Sequence, residues 1–275
     1  MPWYSNINGD SLWYEERGSG PAIVLIHGWC MSSAVWQFQL ESLSRSFRVI
    51  APDLRGHGRS APSSDGYCFD VYASDIAALF QRLDLKDALL VGWSLGAQMV
   101  LQSFKQLRNQ VAGVGLVSGT PRFTAVEDFP WALASIEADG MAAKLRRNTA
   151  RALEGFVGRM FVTGELENPE LSTRISALLS AIPVPDTRIA LQSLQALVET
   201  DMRSILPDID VPALIVNGDQ DVICLPGASA YMAQIIVNSQ HIVMPGCGHT
   251  PFLTQSFAFD KALTDFRRGI CGCCR

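Results

Sequence analysis

The chain has 275 residues, of which 48% are hydrophobic, so its length suits one large α/β domain or two small ones around a sizeable core. Its net charge of −5 argues against nucleic-acid binding, because no basic excess is available to neutralise phosphates. No apolar run approaches the ~20 residues that span a bilayer and no signal-peptide pattern opens the chain, so we expect a cytoplasmic protein without a membrane contact.

The first predicted element is a hairpin, because Asn8-Gly9 between two aromatic-rich segments tolerates the positive φ of a tight turn. Short apolar runs then predict buried strands, with helical stretches at 36–45, 70–83 and 254–268. Strands that are buried on both faces and alternate with helices indicate a mostly parallel, doubly wound α/β sheet. The predicted core strands lie at 22–28, 48–53, 88–94, 111–118, 212–219 and 239–246.

Residues 122–206 carry no strand pattern and are rich in Ala, Leu and Arg. We expect this segment to be a helical cap inserted between two strands of the sheet. The α/β core would then comprise residues 1–121 and 207–275. We also expect a monomer.

The sequence Gly92-Trp93-Ser94-Leu95-Gly96 follows an apolar strand and precedes a helix-compatible stretch, which is the setting of a nucleophile elbow. The two glycines would give the turn room to hold the Ser94 hydroxyl above the sheet. The alternative is an ordinary strand-to-helix turn. A serine nucleophile needs a base and an orienting carboxylate, so the partners decide between the two.

Of the four histidines, His249 is the candidate base, because it lies in a loop just beyond a predicted strand, where ligands of open α/β sheets bind. His241 lies inside that strand and is expected to be structural. For the acid, Asp221 is favoured over Asp219, since it leaves enough chain for a turn toward His249. A solvated turn residue is the alternative, above all for Asp219.

With these motifs in place, the chain resembles the α/β-hydrolase superfamily from residue 23 to about residue 266. The resemblance includes "HGW" at 27–29 and "DLRGHGRS" at 53–60, and the chain order serine, aspartate, histidine is the one that this fold uses. It implies an α/β-hydrolase fold and an oxyanion hole formed by the main-chain N–H groups of Trp29 and Leu95. It also implies that His27 and His57 support loops around the site.

Within the superfamily, the elbow and the cap sequence at 180–206 resemble the esterases that demethylate pimeloyl-[acyl-carrier protein] methyl ester in biotin synthesis. An acidic enzyme must invert its charge locally to dock an acidic carrier protein. Residues 141–163 hold five cations against Glu154 alone. If this segment is one helix, Lys144, Arg147 and Arg151 share a face that could dock the carrier.

The same segment carries an apolar stripe that could line an acyl channel. For the substrate pocket we predict Trp93, Phe156 and Met160. The alternatives are a basic face that is merely solvated and a stripe that merely packs the cap onto the core. The members of the stripe are Leu153, Phe156, Val157 and Met160.

Seven cysteines, an odd number, predict reduced thiols rather than a disulfide framework. A small buried thiol is the expected state of Cys30, Cys68, Cys224 and Cys247. The tail residues Cys271, Cys273 and Cys274 offer too few ligands for a metal site. No metal or organic cofactor is expected.

The predicted function is a serine carboxylesterase that forms an acyl-enzyme on Ser94, with a pimeloyl-[acyl-carrier protein] methyl ester as its substrate. One alternative is a general short-acyl carboxylesterase, lactonase or perhydrolase that uses the same triad. Another is a protein that keeps the hydrolase fold but only binds a ligand.

Overall fold

The computed structural model describes residues 2–64 and 66–272, so Cys273 and Cys274 of the tail lie outside the described residues. Eight strands form one sheet in the order β1-β2-β4-β3-β5-β6-β7-β8. Strands β3 to β8 run parallel to one another, and β2 pairs antiparallel with both of its neighbours, β1 and β4. The strands are β1 (Trp3–Ser5), β2 (Ser11–Arg17), β3 (Ala22–Ile26), β4 (Arg48–Pro52), β5 (Ala88–Trp93), β6 (Val111–Val117), β7 (Ala213–Gly218) and β8 (Ser239–Met244).

The predicted hairpin and core strands are therefore present. Every residue of β3, β5 and β7 is buried, which explains why these strands appear in the sequence as continuous apolar runs. The loop between β1 and β2 is longer than a two-residue turn, and within it Gly9 has a φ of 87°. The Asn6 side chain closes this loop by accepting hydrogen bonds from the main-chain N–H groups of Asn8 and Asp10, at 3.1 and 2.9 Å.

Ten α-helices lie in the described part of the chain, and four of them lie between β6 and β7. None of the described helices is long and apolar enough to cross a membrane. The helices are α1 (Gln37–Leu43), α2 (Phe69–Arg82), α3 (Leu95–Leu107), α4 (Ser135–Arg147), α5 (Thr149–Gly158), α6 (Pro169–Ser180), α7 (Thr187–Glu199), α8 (Pro226–Ile235), α9 (Pro251–Thr254) and α10 (Ser256–Gly272).

Helices α4 to α7 belong to the segment 122–206, called the cap below. The expectation that its basic stretch forms one continuous helix is wrong, because the helix is interrupted at Asn148. This residue has extended backbone, with φ −164° and ψ 100°, so it ends α4. Its side chain then accepts a hydrogen bond from the Arg151 main-chain N–H at 3.0 Å and caps the start of α5.

A buried ion pair fixes the loop after β4. Arg55 donates from Nε and Nη2 to the two carboxylate oxygens of Asp75 on α2, at 2.6 and 2.7 Å. Asn6, from the hairpin loop, donates to the same carboxylate at 3.1 Å. The side chains of the pair are only 1% and 2% exposed, so three distant segments meet at one desolvated contact.

Candidate active site

Ser94 lies between β5 and α3 on a strained turn, with φ 56° and ψ −120°. The neighbouring glycines are required by close backbone contacts. A Cβ on Gly92 would lie 2.0 Å from the Gly96 carbonyl oxygen, and a Cβ on Gly96 would lie 2.5 Å from the Ile26 carbonyl oxygen. The Gly-x-Ser-x-Gly spacing thus forms the sharp strand-to-helix turn that holds a nucleophile above a sheet.

Asp221 and His249 lie in the loops after β7 and β8 and are hydrogen-bonded to each other. Asp221 Oδ2 accepts from His249 Nδ1 at 2.7 Å, and both side chains are fully buried. Asp221 Oδ1 accepts from the main-chain N–H groups of Ile223 and Cys224, at 2.8 and 3.0 Å. With its carboxylate held in this way, Asp221 fixes the imidazole in the tautomer that carries its proton on Nδ1.

The other imidazole nitrogen of His249, Nε2, is buried and has no hydrogen-bond partner among the described residues. A buried, unpaired imidazole nitrogen is available to accept a proton. The His249 loop is held by its main chain: its N–H donates to the Met160 carbonyl of the cap at 2.8 Å, and its carbonyl accepts from Trp93 Nε1 at 2.8 Å.

The two competing residues lie elsewhere. Asp219 is exposed, and its carboxylate accepts only a 3.3 Å hydrogen bond from the Cys247 main-chain N–H. His241 lies in β8, where Nε2 is 2.7 Å from Asn217 Oδ1. The structure therefore brings Asp221 to His249 and leaves Asp219 at the surface.

Trp29 and Leu95, the predicted oxyanion donors, lie on the loop after β3 and at the first residue of α3. Neither main-chain N–H has an acceptor among the described residues. The loop 27–31, called the oxyanion loop below, lies against the elbow, since a Cβ on Gly28 would be 3.3 Å from Ser94 Cβ. Two free N–H groups beside a candidate nucleophile are what stabilisation of a tetrahedral oxyanion requires.

His27 anchors this loop in the way the family resemblance implies. Its Nδ1 donates to the Gly28 carbonyl at 2.8 Å, and its Nε2 accepts from the Leu54 main-chain N–H at 3.0 Å. Burial, together with the nearby His57, lowers the pKa of His27 to about 3. The ring is therefore a neutral link between the loops after β3 and β4.

The predicted pocket residues are placed in two different ways. Trp93 and Met160 are each 1% exposed, and both bind the main chain of His249, Trp93 through its indole N–H and Met160 through its carbonyl. Phe156 packs edge-on against the Trp29 ring, with 5.1 Å between the ring centroids. The substrate contact of these three residues stays a prediction.

An apolar cavity of about 510 Å³ separates α5 and α6 from the oxyanion loop. Leu153 and Val157 of the predicted stripe line it, and Cys30 places its near end directly after Trp29. Ser94 is not among its lining residues. The other apolar side chains along it are Met31, Ala150, Phe161, Leu166, Ile175, Leu179, Ile182, Pro183 and Val184.

The three predicted docking cations lie together in spite of the helix break. Lys144, Arg147 and Arg151 line a cavity of about 560 Å³ between α4 and α5, called the basic cavity below, with Phe156 and Arg159. Arg159 pairs with Glu137 at 2.9 Å. Within the described part of the chain, the three predicted cations have no carboxylate at ion-pair distance, although all three are exposed.

Cys224 is a neighbour of Ser94, and the sequence did not predict this contact. Its thiol is buried as expected, like those of Cys30 and Cys247, whereas the expectation is wrong for Cys68, which is exposed. Burial raises the pKa of Cys224 well above the usual value. A side-chain hydrogen bond with Ser94 opposes that shift, so the two groups are in contact. The only available signal was its place three residues after Asp221 in a loop that returns to the elbow.

Comparison with known proteins agrees with this geometry. The alpha/beta hydrolase fold family matches residues 21–256. A Nitrosospira multiformis relative named pimeloyl-[acyl-carrier protein] methyl ester esterase is 31% identical over 94% of this chain and 98% of its own. A Synechocystis relative named putative non-heme chloroperoxidase is also 31% identical, over 93% of this chain and 94% of its own.

The solved structure of an esterase from Exiguobacterium antarcticum matches with a TM-score of 0.89 at 27% identity, covering 97% of this chain and 98% of that one. The family match spans most of the sequence. The parallel sheet, the strained elbow and the chain order Ser94, Asp221, His249 agree with it. The chain therefore belongs to the alpha/beta hydrolase fold family.

Proposed function

We propose that the protein is a serine carboxylesterase that hydrolyses its substrate through an acyl-enzyme on Ser94. The observation that carries this proposal is the buried Asp221–His249 hydrogen bond of 2.7 Å with His249 Nε2 left unpaired. Together with the strained serine of the elbow, this is the arrangement by which a weak hydroxyl nucleophile is activated.

In the first half of the reaction, Ser94 Oγ attacks the ester carbonyl carbon while His249 Nε2 takes the hydroxyl proton. The carbonyl oxygen becomes negative and accepts hydrogen bonds from the N–H groups of Trp29 and Leu95, each worth about 3 kcal/mol in such sites. When the tetrahedral intermediate collapses, the carbon–oxygen bond to the alcohol breaks, and the alcohol leaves with the proton from His249.

In the second half, water attacks the acyl-enzyme and gives its proton to His249 Nε2. A second tetrahedral intermediate collapses, the acid departs, and Ser94 recovers its proton from His249. Asp221 stays ionised throughout, keeps the proton of the neutral ring on Nδ1 and stabilises the imidazolium.

For the substrate, we propose a pimeloyl-[acyl-carrier protein] methyl ester, with methanol as the leaving alcohol. Three features support this choice: the name of the Nitrosospira relative, an apolar cavity beside the oxyanion loop, and the basic cavity of exposed cations without carboxylate partners. A carrier-linked substrate also fits a cytoplasmic protein, which is the location we propose. Buried free thiols such as Cys30 and Cys224 are typical of such a reducing compartment.

A fluorophosphonate probe tests the nucleophile. The folded wild-type protein should be labelled stoichiometrically at Ser94, and Ser94→Ala should not be labelled. The same variant should lose at least about 10³-fold in kcat on p-nitrophenyl butyrate at an unchanged thermal midpoint. Absence of labelling in folded wild-type protein would instead support a hydrolase-like protein that only binds its ligand.

Reversing charges in the basic cavity tests whether the enzyme docks an acidic carrier protein. Arg147→Glu combined with Arg151→Glu should lower kcat/KM for the carrier-linked methyl ester by tenfold or more, while the small ester is hydrolysed normally. Arg82→Glu with Lys105→Glu, two exposed cations outside the cap, is the matched control. The advantage of wild type should shrink as salt rises. Equal losses on both substrates would indicate a damaged cap instead of a docking surface.

The second candidate is a general short-acyl esterase, lactonase or perhydrolase with the same triad. It is favoured by the structural likeness to the Exiguobacterium esterase and by the name of the Synechocystis relative. Assaying the carrier-linked methyl ester beside p-nitrophenyl esters, a lactone and acetate with hydrogen peroxide separates the candidates. A higher kcat/KM on any small substrate than on the carrier-linked ester would favour this second candidate.

A further inference from the structure

The oxyanion loop is tethered to the cap through the indole of Trp29. Its Nε1 donates to two acceptors on α7, Ser193 Oγ at 3.0 Å and the Ala190 carbonyl at 3.2 Å. Trp29 is 4% exposed and Ser193 is 0% exposed, so water does not compete for this hydrogen bond. The predicted oxyanion donor Trp29 thus has its side chain bound to the cap.

The Ser193 hydroxyl is oriented for this contact. It donates its single proton to the Ile189 carbonyl one turn earlier, at 2.7 Å, so a lone pair is left to accept from the indole. Phe156 on α5 packs edge-on against the Trp29 ring at an interplanar angle of 84°. Two cap helices therefore hold the indole from different directions.

The oxyanion loop needs such a restraint. Cys30, the residue after Trp29, has a φ of 56°, in the left-handed region that side chains other than glycine rarely adopt. A strained residue of this kind costs roughly 1 to 3 kcal/mol and persists only when its surroundings hold it in place. If the indole came loose, the strain could relax by rotation of the Trp29–Cys30 peptide, and the Trp29 main chain, with its N–H, would shift along with it.

We propose that Ser193 is a positioning residue for the oxyanion hole. It acts through the Trp29 indole and keeps the Trp29 main-chain N–H directed at the developing oxyanion. The cap would then contribute to the chemical step through Ser193. This inference rests on the proposed esterase function. It predicts an effect on kcat for every ester, including small ones that never touch the basic cavity.

The test is a double-mutant cycle on p-nitrophenyl butyrate with Trp29→Phe, Ser193→Ala and the double variant. Each single variant should lower kcat about tenfold and leave KM within twofold, because the lost interaction acts in the transition state. The double variant should lose no more than Trp29→Phe alone, because that change already removes the donor that Ser193 accepts from. The affinity for a boronic acid, which mimics the tetrahedral intermediate, should fall in parallel with kcat.

Ser229→Ala, a change at another fully buried helical serine on α8, is the matched control and should keep the wild-type kcat. The inference is overturned if Ser193→Ala keeps kcat within twofold. It is also overturned if the two single losses multiply in the double variant, or if the boronic acid affinity does not change. Failure of the esterase function itself is a separate outcome, because wild type would then neither hydrolyse the ester nor react with the fluorophosphonate.

Discussion

Asp221→Asn removes one charge from the acid–base pair and keeps its shape, which isolates the effect on the His249 tautomer. In the wild type, Oδ1 of Asp221 accepts from two main-chain N–H groups, at 2.8 and 3.0 Å. An asparagine must place its oxygen on those two donors, because its amide nitrogen has no lone pair for them. The side-chain NH₂ would then face His249 Nδ1.

An NH₂ donor forces Nδ1 to become an acceptor, so the proton of the neutral ring moves to Nε2. That nitrogen is the one left unpaired in the structure, and once protonated it cannot take the Ser94 proton. Loss of the correct tautomer in this way typically lowers kcat by about 10⁴-fold, which corresponds to about 5.4 kcal/mol. We expect a loss of that order for Asp221→Asn.

The measurement is kcat on p-nitrophenyl butyrate near neutral pH, with the thermal midpoint as a check on folding. Asp219→Asn is the matched control, because it makes the same chemical change at an exposed residue whose one acceptor contact is 3.3 Å long. It should change kcat less than threefold. A loss below tenfold for Asp221→Asn, or a larger loss for Asp219→Asn in folded protein, would refute the reasoning.

Two further predictions concern the scaffold around the site. The pKa of the buried His27 is lowered from 6.5 to about 3, so between these pH values the ring is neutral in the folded protein and protonated in the unfolded chain. Its contribution to stability is therefore complete above pH 6.5 and is lost as the pH falls toward 3. The thermal midpoint of His27→Asn should therefore lie below that of wild type at pH 7.5, and the gap should close by roughly 3 °C at pH 5.0, as about 2 kcal/mol of the wild-type advantage disappears; a constant gap would contradict this. Asp75→Asn leaves the Arg55 guanidinium buried beside a neutral amide and should lower the free energy of unfolding by about 3 to 5 kcal/mol, which calorimetry should record as a midpoint lower by about 5 to 9 °C; a drop below 2 °C would show that Arg55 finds another partner.

The parts of the fold that the sequence predicts are those fixed by local patterns. The core strands are visible because their residues are buried on both faces. The elbow is visible because its turn requires glycine at two positions, where an added Cβ would lie 2.0 and 2.5 Å from backbone atoms. His249 could be chosen because the carboxyl ends of parallel strands form one edge, at which a residue after β8 meets one after β5. Asp221 could be chosen over Asp219 because it leaves enough chain for a turn that brings its carboxylate to His249.

What the sequence does not reveal is set by contacts between distant residues or by one side chain with two possible roles. Asn148 fits a helical pattern as well as it fits an N-cap, and only tertiary packing decides that α4 ends there. The Trp29–Ser193 hydrogen bond joins residues 164 positions apart in separate parts of the fold. No periodicity reports such a contact, and the same is true of the Met160 carbonyl that holds His249.

The described part of the cap contacts two of the loops that carry predicted site residues, the His249 loop and the oxyanion loop. Ser94 is held by its elbow, and Asp221 by the main-chain N–H groups that follow it in its own loop. In the His249 loop, by contrast, the His249 main-chain N–H donates to the Met160 carbonyl of the cap. A Cβ on Gly248 would lie 2.4 Å from that carbonyl oxygen, so the cap is in direct contact with this loop. The oxyanion loop is bound to the cap by the hydrogen bond from the Trp29 indole to Ser193 Oγ. The proposed nucleophile and acid are therefore positioned by the core, whereas the proposed base and oxyanion donor are held by contacts with the cap. Because the basic cavity belongs to the same cap, the proposed function predicts that changes in the cap alter the rate of the chemical step as well as the choice of substrate.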